Sequence, residues 1–192
     1  MTVSLTKGQT VSLTKASGPQ LTRAHMGLGW DARKVRGFLG REKEQEIDLD
    51  ASCLAFDTAG TLVDQVWFQQ LKSADGAIVH TGDNRSGAGD GDDESIIVDL
   101  PGVNPLIHTL VFVVNSYSGE SFSQIENAFC RLVDLDSGAE IARFDLSGSG
   151  AHTAQIMAKL VRNGTGWNFQ AIGEKANGRT IQDLIPAAAR LL

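Results

Sequence analysis

The sequence predicts a mainly β chain, a β-sandwich with a few short helices that are mostly C-terminal. Three observations carry this. There are 21 glycines against only 4 prolines, as expected of a chain with many tight turns. Short runs of β-branched and aromatic residues recur along the first two thirds, alternating or continuously apolar. Helical periodicity enters only towards the C-terminus. At 192 residues the chain can bury one sizeable core, and it is read as a single domain over 1–192.

The chain opens with a near-repeat, Val3-Ser-Leu-Thr-Lys7 and Val11-Ser-Leu-Thr-Lys15, joined through Gly8-Gln9. Its period-two alternation predicts a β-hairpin with Val3, Leu5, Val11 and Leu13 towards the core. Strands are expected over 21–28, 46–56, 66–71, 96–100 and 109–117. The last of these, TLVFVVNSY, is almost entirely β-branched or aromatic and suits a central strand. Two more strands, 129–135 and 140–146, flank a turn at Asp136-Ser-Gly138. Residues 31–46 carry Arg33, Lys34, Arg36, Arg41 and Lys43 and read as a mobile, basic, loop-like insertion. Ala154, Met157, Ala158 and Val161 fall at helical spacing, so a helix is predicted there, capped by Thr153 and ended by Asn163-Gly164. Residues 167–172 alternate again. The tail 180–192 reads as a short helix interrupted by Pro186.

Bulk properties exclude several functions. A net charge of −6 and a pI near 5.1 argue against nucleic acid as a partner. No run approaches the roughly 18 apolar residues of a membrane span, and the opening does not resemble a signal peptide, so a cytoplasmic location is expected. Cys53 and Cys130 lie in apolar, strand-like runs and are expected to be reduced core residues.

The chemistry concentrates in the twelve residues from Asp83 to Glu94, DNRSGAGDGDDE, with five carboxylates and three glycines. Such a segment cannot build a core, and its charges repel unless a cation lies among them. Hard oxygen donors on a glycine-rich loop suit Ca²⁺, which takes six to eight oxygens. An EF-hand is excluded, because Arg85, Gly87 and Ala88 stand where that loop needs two oxygen ligands and a glycine.

Other segments supply more donors. In the strand that ends at Phe56, alternation places Asp48, Asp50 and Ser52 on one face, followed by Leu54 and Phe56. That face is acidic at one end and apolar at the other, with Asp48 and Asp50 about 7 Å apart. Asp31 ends the glycine-rich turn Gly27-Leu-Gly-Trp-Asp31 and can add a carboxylate. Asp83, Asn84, Asp92, Asp93 and Glu94 extend the shell. Gly89 and Gly91 can offer backbone carbonyls, since glycine lets a backbone fold around an ion.

Catalysis finds little support. His25, His80, His108 and His152 show no metal-ligand spacing, and no nucleophile elbow or phosphate loop of the P-loop type is present. His80 beside the acidic segment reads as a structural histidine, and Gly148-Ser-Gly150 as a connector. Trp30 is expected to pack in the core. The expectation is a binding protein rather than an enzyme. The alternatives are a metal-dependent hydrolase using the cation as Lewis acid and a Ca²⁺-dependent carbohydrate or adhesion module.

Gly27-Leu-Gly-Trp-Asp31, Asp48-Leu-Asp-Ala-Ser52, Leu71-Lys-Ser-Ala-Asp-Gly76, His80-Thr-Gly-Asp-Asn84 and Gly89-Asp-Gly-Asp-Asp-Glu94 occur in this order. With the opening repeat, Asn127-Ala-Phe129 and Gly138-Ala-Glu-Ile-Ala-Arg143, they resemble the TerD family of tellurium-resistance and stress proteins. The resemblance spans essentially the whole chain. It implies a β-sandwich that binds Ca²⁺, commonly two ions, through Asp31, Asp48, Asp50, Asp83, Asn84, Asp92, Asp93 and Glu94. It further implies a Ca²⁺-dependent scaffold or sensor in tellurite resistance, working with other stress-response proteins in a membrane-associated assembly. Gln69 and Gln70 depart from the family, which usually has two asparagines there.

Overall fold

The computed structural model describes the chain except for residues 1–2, 5–9, 13–20, 32, 37–41, 46, 85–90, 147–149 and 165. Two six-stranded sheets pack face to face. The strands are β1 (Val3–Ser4), β2 (Thr10–Ser12), β3 (Arg23–Asp31), β4 (Arg33–Arg36), β5 (Glu42–Gln45), β6 (Leu49–Phe56) and β7 (Leu62–Val66). There follow β8 (Ile78–His80), β9 (Glu94–Asp99), β10 (Thr109–Ser116), β11 (Glu126–Asp134), β12 (Ala139–Asp145), β13 (Ala154–Asn163) and β14 (Gly166–Ala176). One sheet has the order β1-β12-β11-β3-β9-β8 and the other β2-β14-β13-β10-β6-β7, while β4 and β5 pair by themselves. Helix α1 (Ile181–Ala189) follows the last strand.

The sheets enclose a core that includes Met26, Leu28, Trp30, Ile96, Leu110, Phe112, Leu132 and Phe169. Both cysteines are free and buried there, as expected. Trp30 is core as expected, with its indole N–H donating to the Ile47 carbonyl at 2.8 Å. A second apolar cluster lies on the outer face of the β6-containing sheet. Leu54, Phe56, Val111, Val113 and Ile156 there meet Ile181, Leu184 and Ala188 of α1. The central strands β6 and β10 are therefore buried on both faces along their whole length, which is why TLVFVVNSY is so uniformly apolar.

Several elements differ from expectation. The segment read as a helix is strand β13. Ala154 and Ile156 face the helix side, whereas Met157, Ala158 and Leu160 face the inter-sheet core. Pairing with β10 passes from Ile156↔Val113 to Ala158↔Phe112, so Met157 is a bulge. Burial on both faces together with this slip of phase imitates helical spacing. Thr153 caps nothing helical, and its hydroxyl donates to the Gly178 carbonyl at 3.1 Å.

The opening repeat is not a hairpin. Strand β1 runs parallel to β12 in one sheet, and β2 runs antiparallel to β14 in the other. Each copy thus extends the edge of a preformed sheet, which offers more partners than an isolated two-stranded ribbon. The side chains of Val3, Leu5, Val11 and Leu13 lie outside the described residues. The strand expected over 66–71 ends at Val66, where Trp67 and Gln70 exchange backbone hydrogen bonds across a turn. The insertion after Asp31 contains the β4–β5 hairpin, which sets Lys34 opposite Glu44 and Arg36 opposite Glu42. Pro186 lies within α1 rather than interrupting it, because burial of Ile181, Leu184 and Ala188 holds the helix to the sheet.

Candidate metal centre

Strand β7 pairs with β6 only from Cys53 to Phe56, so among the described residues the first half of β6 has no strand partner on that side. There β6 approaches β9 of the opposite sheet. Glu94, the first residue of β9, is fully buried and spans the gap. Its Oε2 accepts the Ala51 N–H at 2.7 Å, and its Oε1 accepts the Asn84 N–H at 3.1 Å. A side-chain carboxylate thus takes the place of a strand partner. His80 of β8 lies beneath it, with Nε2 at 3.4 Å from Oε2 and both side chains wholly inaccessible. The Gly82 N–H donates to His80 Nδ1 at 3.1 Å, which leaves the ring proton on Nε2, towards Glu94.

Above this edge, Asp48, Asp50 and Asp83 each bring one carboxylate oxygen within 4.8 Å of the others. Asp50 in β6 and Asp48 just before it come together, as alternation predicts, and Leu54 and Phe56 farther along the Asp50 face lie under α1. Asp83 comes from the segment after β8. Asp50 is buried, and its carboxyl is pushed up to about 8 by burial and then by the neighbouring charges of Glu94 and Asp48. Asn115, its cross-strand partner on β10, donates from Nδ2 to Asp50 Oδ2 at 3.0 Å. The Asn115 Oδ1 is buried and accepts no hydrogen bond among the described residues. Three carboxylates crowded in this way are a hard, anionic donor set that could hold a metal ion.

The structure separates the other expected ligands from this group. Asp92 lies on the outer face of the first sheet, held by Arg131 through Nε at 2.8 Å and Nη2 at 2.9 Å. Asp93 accepts the Trp30 N–H at 3.0 Å and the Asn84 side-chain amide at 2.9 Å. Burial raises the Asp93 carboxyl, and the nearby Asp31 and Asp92 add to this. Asp31 is exposed and accepts from the Asn127 side chain at 2.5 Å. Asp31, Asp93 and Asn84 therefore form a neighbouring acidic group. Gly89 lies outside the described residues. Gln70 faces away, its amide donating to Asp64 at 2.9 Å.

The glycines of the β3 motif have a steric reason. A Cβ on Gly27 would lie 2.3 Å from the Asp92 carboxyl, and one on Gly29 would lie 2.4 Å from the Gly91 carbonyl. Only bare backbone lets the segment 91–93 lie flat on β3, where the Asp93 N–H donates to the Leu28 carbonyl at 2.8 Å.

Asn115 and Arg131 escaped the sequence reading. Asn115 was nevertheless signalled, since a polar residue inside a continuous apolar strand must find a polar partner. Arg131 had no comparable signal.

The TerD domain family model matches residues 1–187. The chain is 48% identical to "Tellurium resistance protein TerZ" of Serratia marcescens over 184 residues, covering 95% of this chain and 94% of that protein. It is 39% identical to "General stress protein 16U" of Bacillus subtilis over 186 residues, covering 93% of each. A crystal structure described as a homologue of telluride resistance protein (TerD) from Streptomyces coelicolor superposes with a TM-score of 0.72 at 20% identity, covering 86% of this chain and 95% of that one. That likeness shows the same fold. With a sandwich of the expected class, and with the family model and close relatives spanning nearly the whole length, the chain belongs to the TerD family of tellurium-resistance and stress-response proteins.

Proposed function

We propose that this protein is a Ca²⁺-dependent scaffold or sensor of the stress response, with Asp48, Asp50 and Asp83 as the core of its cation site. The observation that carries the reading is Asp50, a buried carboxyl among three other carboxylates. Such a group either holds a proton at neutral pH or requires a positive charge beside it. A bound Ca²⁺ would supply that charge and additional coordination. Irregular carboxylate and amide oxygens suit Ca²⁺ better than Mg²⁺, which demands near-ideal octahedral geometry. Asp31, Asp93 and Asn84 would serve a second ion.

Ordering the strand-end segments in this way creates a surface for a protein partner, and the family's resistance and stress names point to other stress-response proteins. Among the described residues no helix is long and apolar enough to cross a membrane. The proposal places the protein in the cytoplasm, in a membrane-associated assembly reached through partners. Turnover is not part of it. His80, the histidine next to the carboxylates, is buried with Nδ1 occupied by the Gly82 N–H, so it is not placed to act as a base.

Titration of chelator-stripped protein with Ca²⁺ and with Mg²⁺ in a calorimeter tests the proposal, with Asp50→Asn as control. Selective Ca²⁺ heat and a raised melting temperature, both lost in the variant, are expected. Absence of Ca²⁺ heat in the wild-type protein would overturn the reading.

A further inference from the structure

We propose that Asn115 is a positioning residue that couples the cation site to the docking of helix α1, an inference that rests on the cation reading above. Asn115 is completely buried. One amide nitrogen serves two elements, donating to Asp50 Oδ2 at 3.0 Å and to the Arg179 carbonyl at 2.8 Å. Arg179 immediately precedes the N-cap of α1, Thr180. The Arg179 guanidinium returns to the same strand end, where Nε donates to the Tyr117 carbonyl at 2.9 Å. The Tyr117 N–H in turn donates to the carbonyl of Asp48 at 2.9 Å. The junction leading into α1 is thus tied to Asp50 of β6 through Asn115 and to Asp48, just before β6, through the backbone of Tyr117.

The placement on the sheet makes the coupling physical. Asp50, Leu54 and Phe56 share one face of β6, and Val111, Val113 and Asn115 share the adjoining face of β10. Helix α1 covers the apolar part of that surface and the carboxylates occupy the rest. Asn115 stands in the seam. Both hydrogens of its amide nitrogen are committed, so a shift of Asp50 cannot be absorbed without disturbing the bond to Arg179. A cation held by Asp48, Asp50 and Asp83 fixes Asp50, and through Asn115 it fixes the start of α1. Coupling of this kind is reciprocal in free energy and commonly amounts to a factor of about 5 to 150.

The experiment uses the full-length protein with Ca²⁺ as the probe and reads amide hydrogen exchange across 181–189 beside calorimetric Ca²⁺ affinity. In wild type, Ca²⁺ is expected to slow exchange in α1 by about tenfold. In Asn115→Ala that slowing is lost although the carboxylates still bind Ca²⁺, about tenfold more weakly. Asn115→Val removes both donors and places an uncharged, β-branched side chain that suits a buried strand, so it covers the case in which the alanine variant does not fold. It should bind Ca²⁺ and likewise show no Ca²⁺-dependent slowing in α1. Asp183→Ala removes the acceptor of the Arg179 and Thr180 N–H groups. It should speed exchange in α1 while preserving the slowing factor produced by Ca²⁺, which separates coupling from simple loss of helix stability.

Ca²⁺ binding in wild type with no change in α1 exchange overturns the coupling and leaves the cation site standing. So does an undiminished response in either Asn115 variant. No Ca²⁺ binding in wild type removes both.

Discussion

Asp50 makes the metal-free protein sensitive to pH in an unusual direction. Its carboxyl is raised from 3.8 to about 8 in the folded chain. Between those values the folded state therefore holds a proton that the unfolded state has released. Stability falls with rising pH wherever the native state binds more protons, at about 1.4 kcal/mol per pH unit for one proton. Over the full interval, removing that proton costs on the order of 5 kcal/mol, the same order as the whole stability of a domain. Chelator-stripped protein should lose stability steadily from about pH 5 to about pH 8, measured as the urea midpoint at fixed salt.

The substitution Asp50→Asn keeps the shape and leaves a carbonyl that can still accept from Asn115, but it abolishes the titration. Stripped Asp50→Asn should show a flatter profile and exceed stripped wild type by several kcal/mol near pH 8. With saturating Ca²⁺ the order should reverse, because wild type gains binding free energy and the variant does not. Binding should also release about one proton near pH 7, seen as a dependence of the calorimetric heat on the buffer's ionisation enthalpy. A stripped wild type whose stability is level or rises over this range would refute the reasoning. So would an Asp50→Asn variant that is no more stable than stripped wild type near pH 8.

Other substitutions separate the site from its supports. Arg131→Ala leaves the Asp92 carboxylate without its bidentate partner and should destabilise by about 2 kcal/mol in urea unfolding, with Ca²⁺ affinity changed by less than about threefold, since Asp92 is not part of the three-aspartate group. Gly27→Ala drives a Cβ to 2.3 Å from the Asp92 carboxyl; it should cost about 1–3 kcal/mol and weaken Ca²⁺ binding by displacing the segment that leads to Glu94. Leu184→Ala opens a cavity between α1 and the sheet and should cost about 3 kcal/mol, with faster exchange confined to the helix and its underlying strands. Gln70→Ala should leave the calorimetric Ca²⁺ affinity unchanged within about twofold, because its amide serves Asp64 rather than the carboxylate group.

The sandwich and most of its strands were legible because one period governs a half-buried strand. Alternation in Asp48, Asp50, Ser52, Leu54 and Phe56 correctly described a face acidic at one end and apolar at the other. The reading failed where a strand is buried on both faces. In β13 the bulge at Met157 shifts the phase of an already continuous apolar run, and local spacing then favours a helix. The opening repeat failed for a different reason. Alternation says which face a residue takes but nothing of which sheet edge receives the strand, and the two copies join different sheets. The acidic residues were legible as a set, yet their division was not. Whether Asp92 faces an ion or Arg131 depends on which side of Gly27 the chain crosses β3, and nothing in the segment itself encodes that.

The edge of β6 that β7 leaves uncovered explains why so many carboxylates gather in one place. A sheet of this kind could close by extending β7 to cover Leu49–Ser52, which would satisfy the backbone with neutral donors and acceptors. Here a buried glutamate does so instead, near enough for its charge to act on Asp50. Burial first, and then the charges of Glu94 and Asp48, raise the Asp50 carboxyl, and the edge is unstable when these groups are ionised together, a cost of several kcal/mol if nothing compensates. A strand end destabilised in this way would serve no purpose where a neutral alternative exists. On the cation reading proposed above, the strain is what would let a cation act strongly, since the free energy available from binding would include relief of repulsion already present in the fold. On this argument, above about pH 8, where Asp50 is ionised in the stripped protein, Glu94→Gln should raise the stability of the stripped protein and diminish the stabilisation that Ca²⁺ brings, even though the Glu94 oxygens accept from the Ala51 and Asn84 backbone amides and stand outside the three-aspartate group. Urea unfolding of both forms with and without Ca²⁺ decides it. A variant that is destabilised when stripped and equally stabilised by Ca²⁺ would show that Glu94 is only a backbone acceptor and that its charge plays no part in the site.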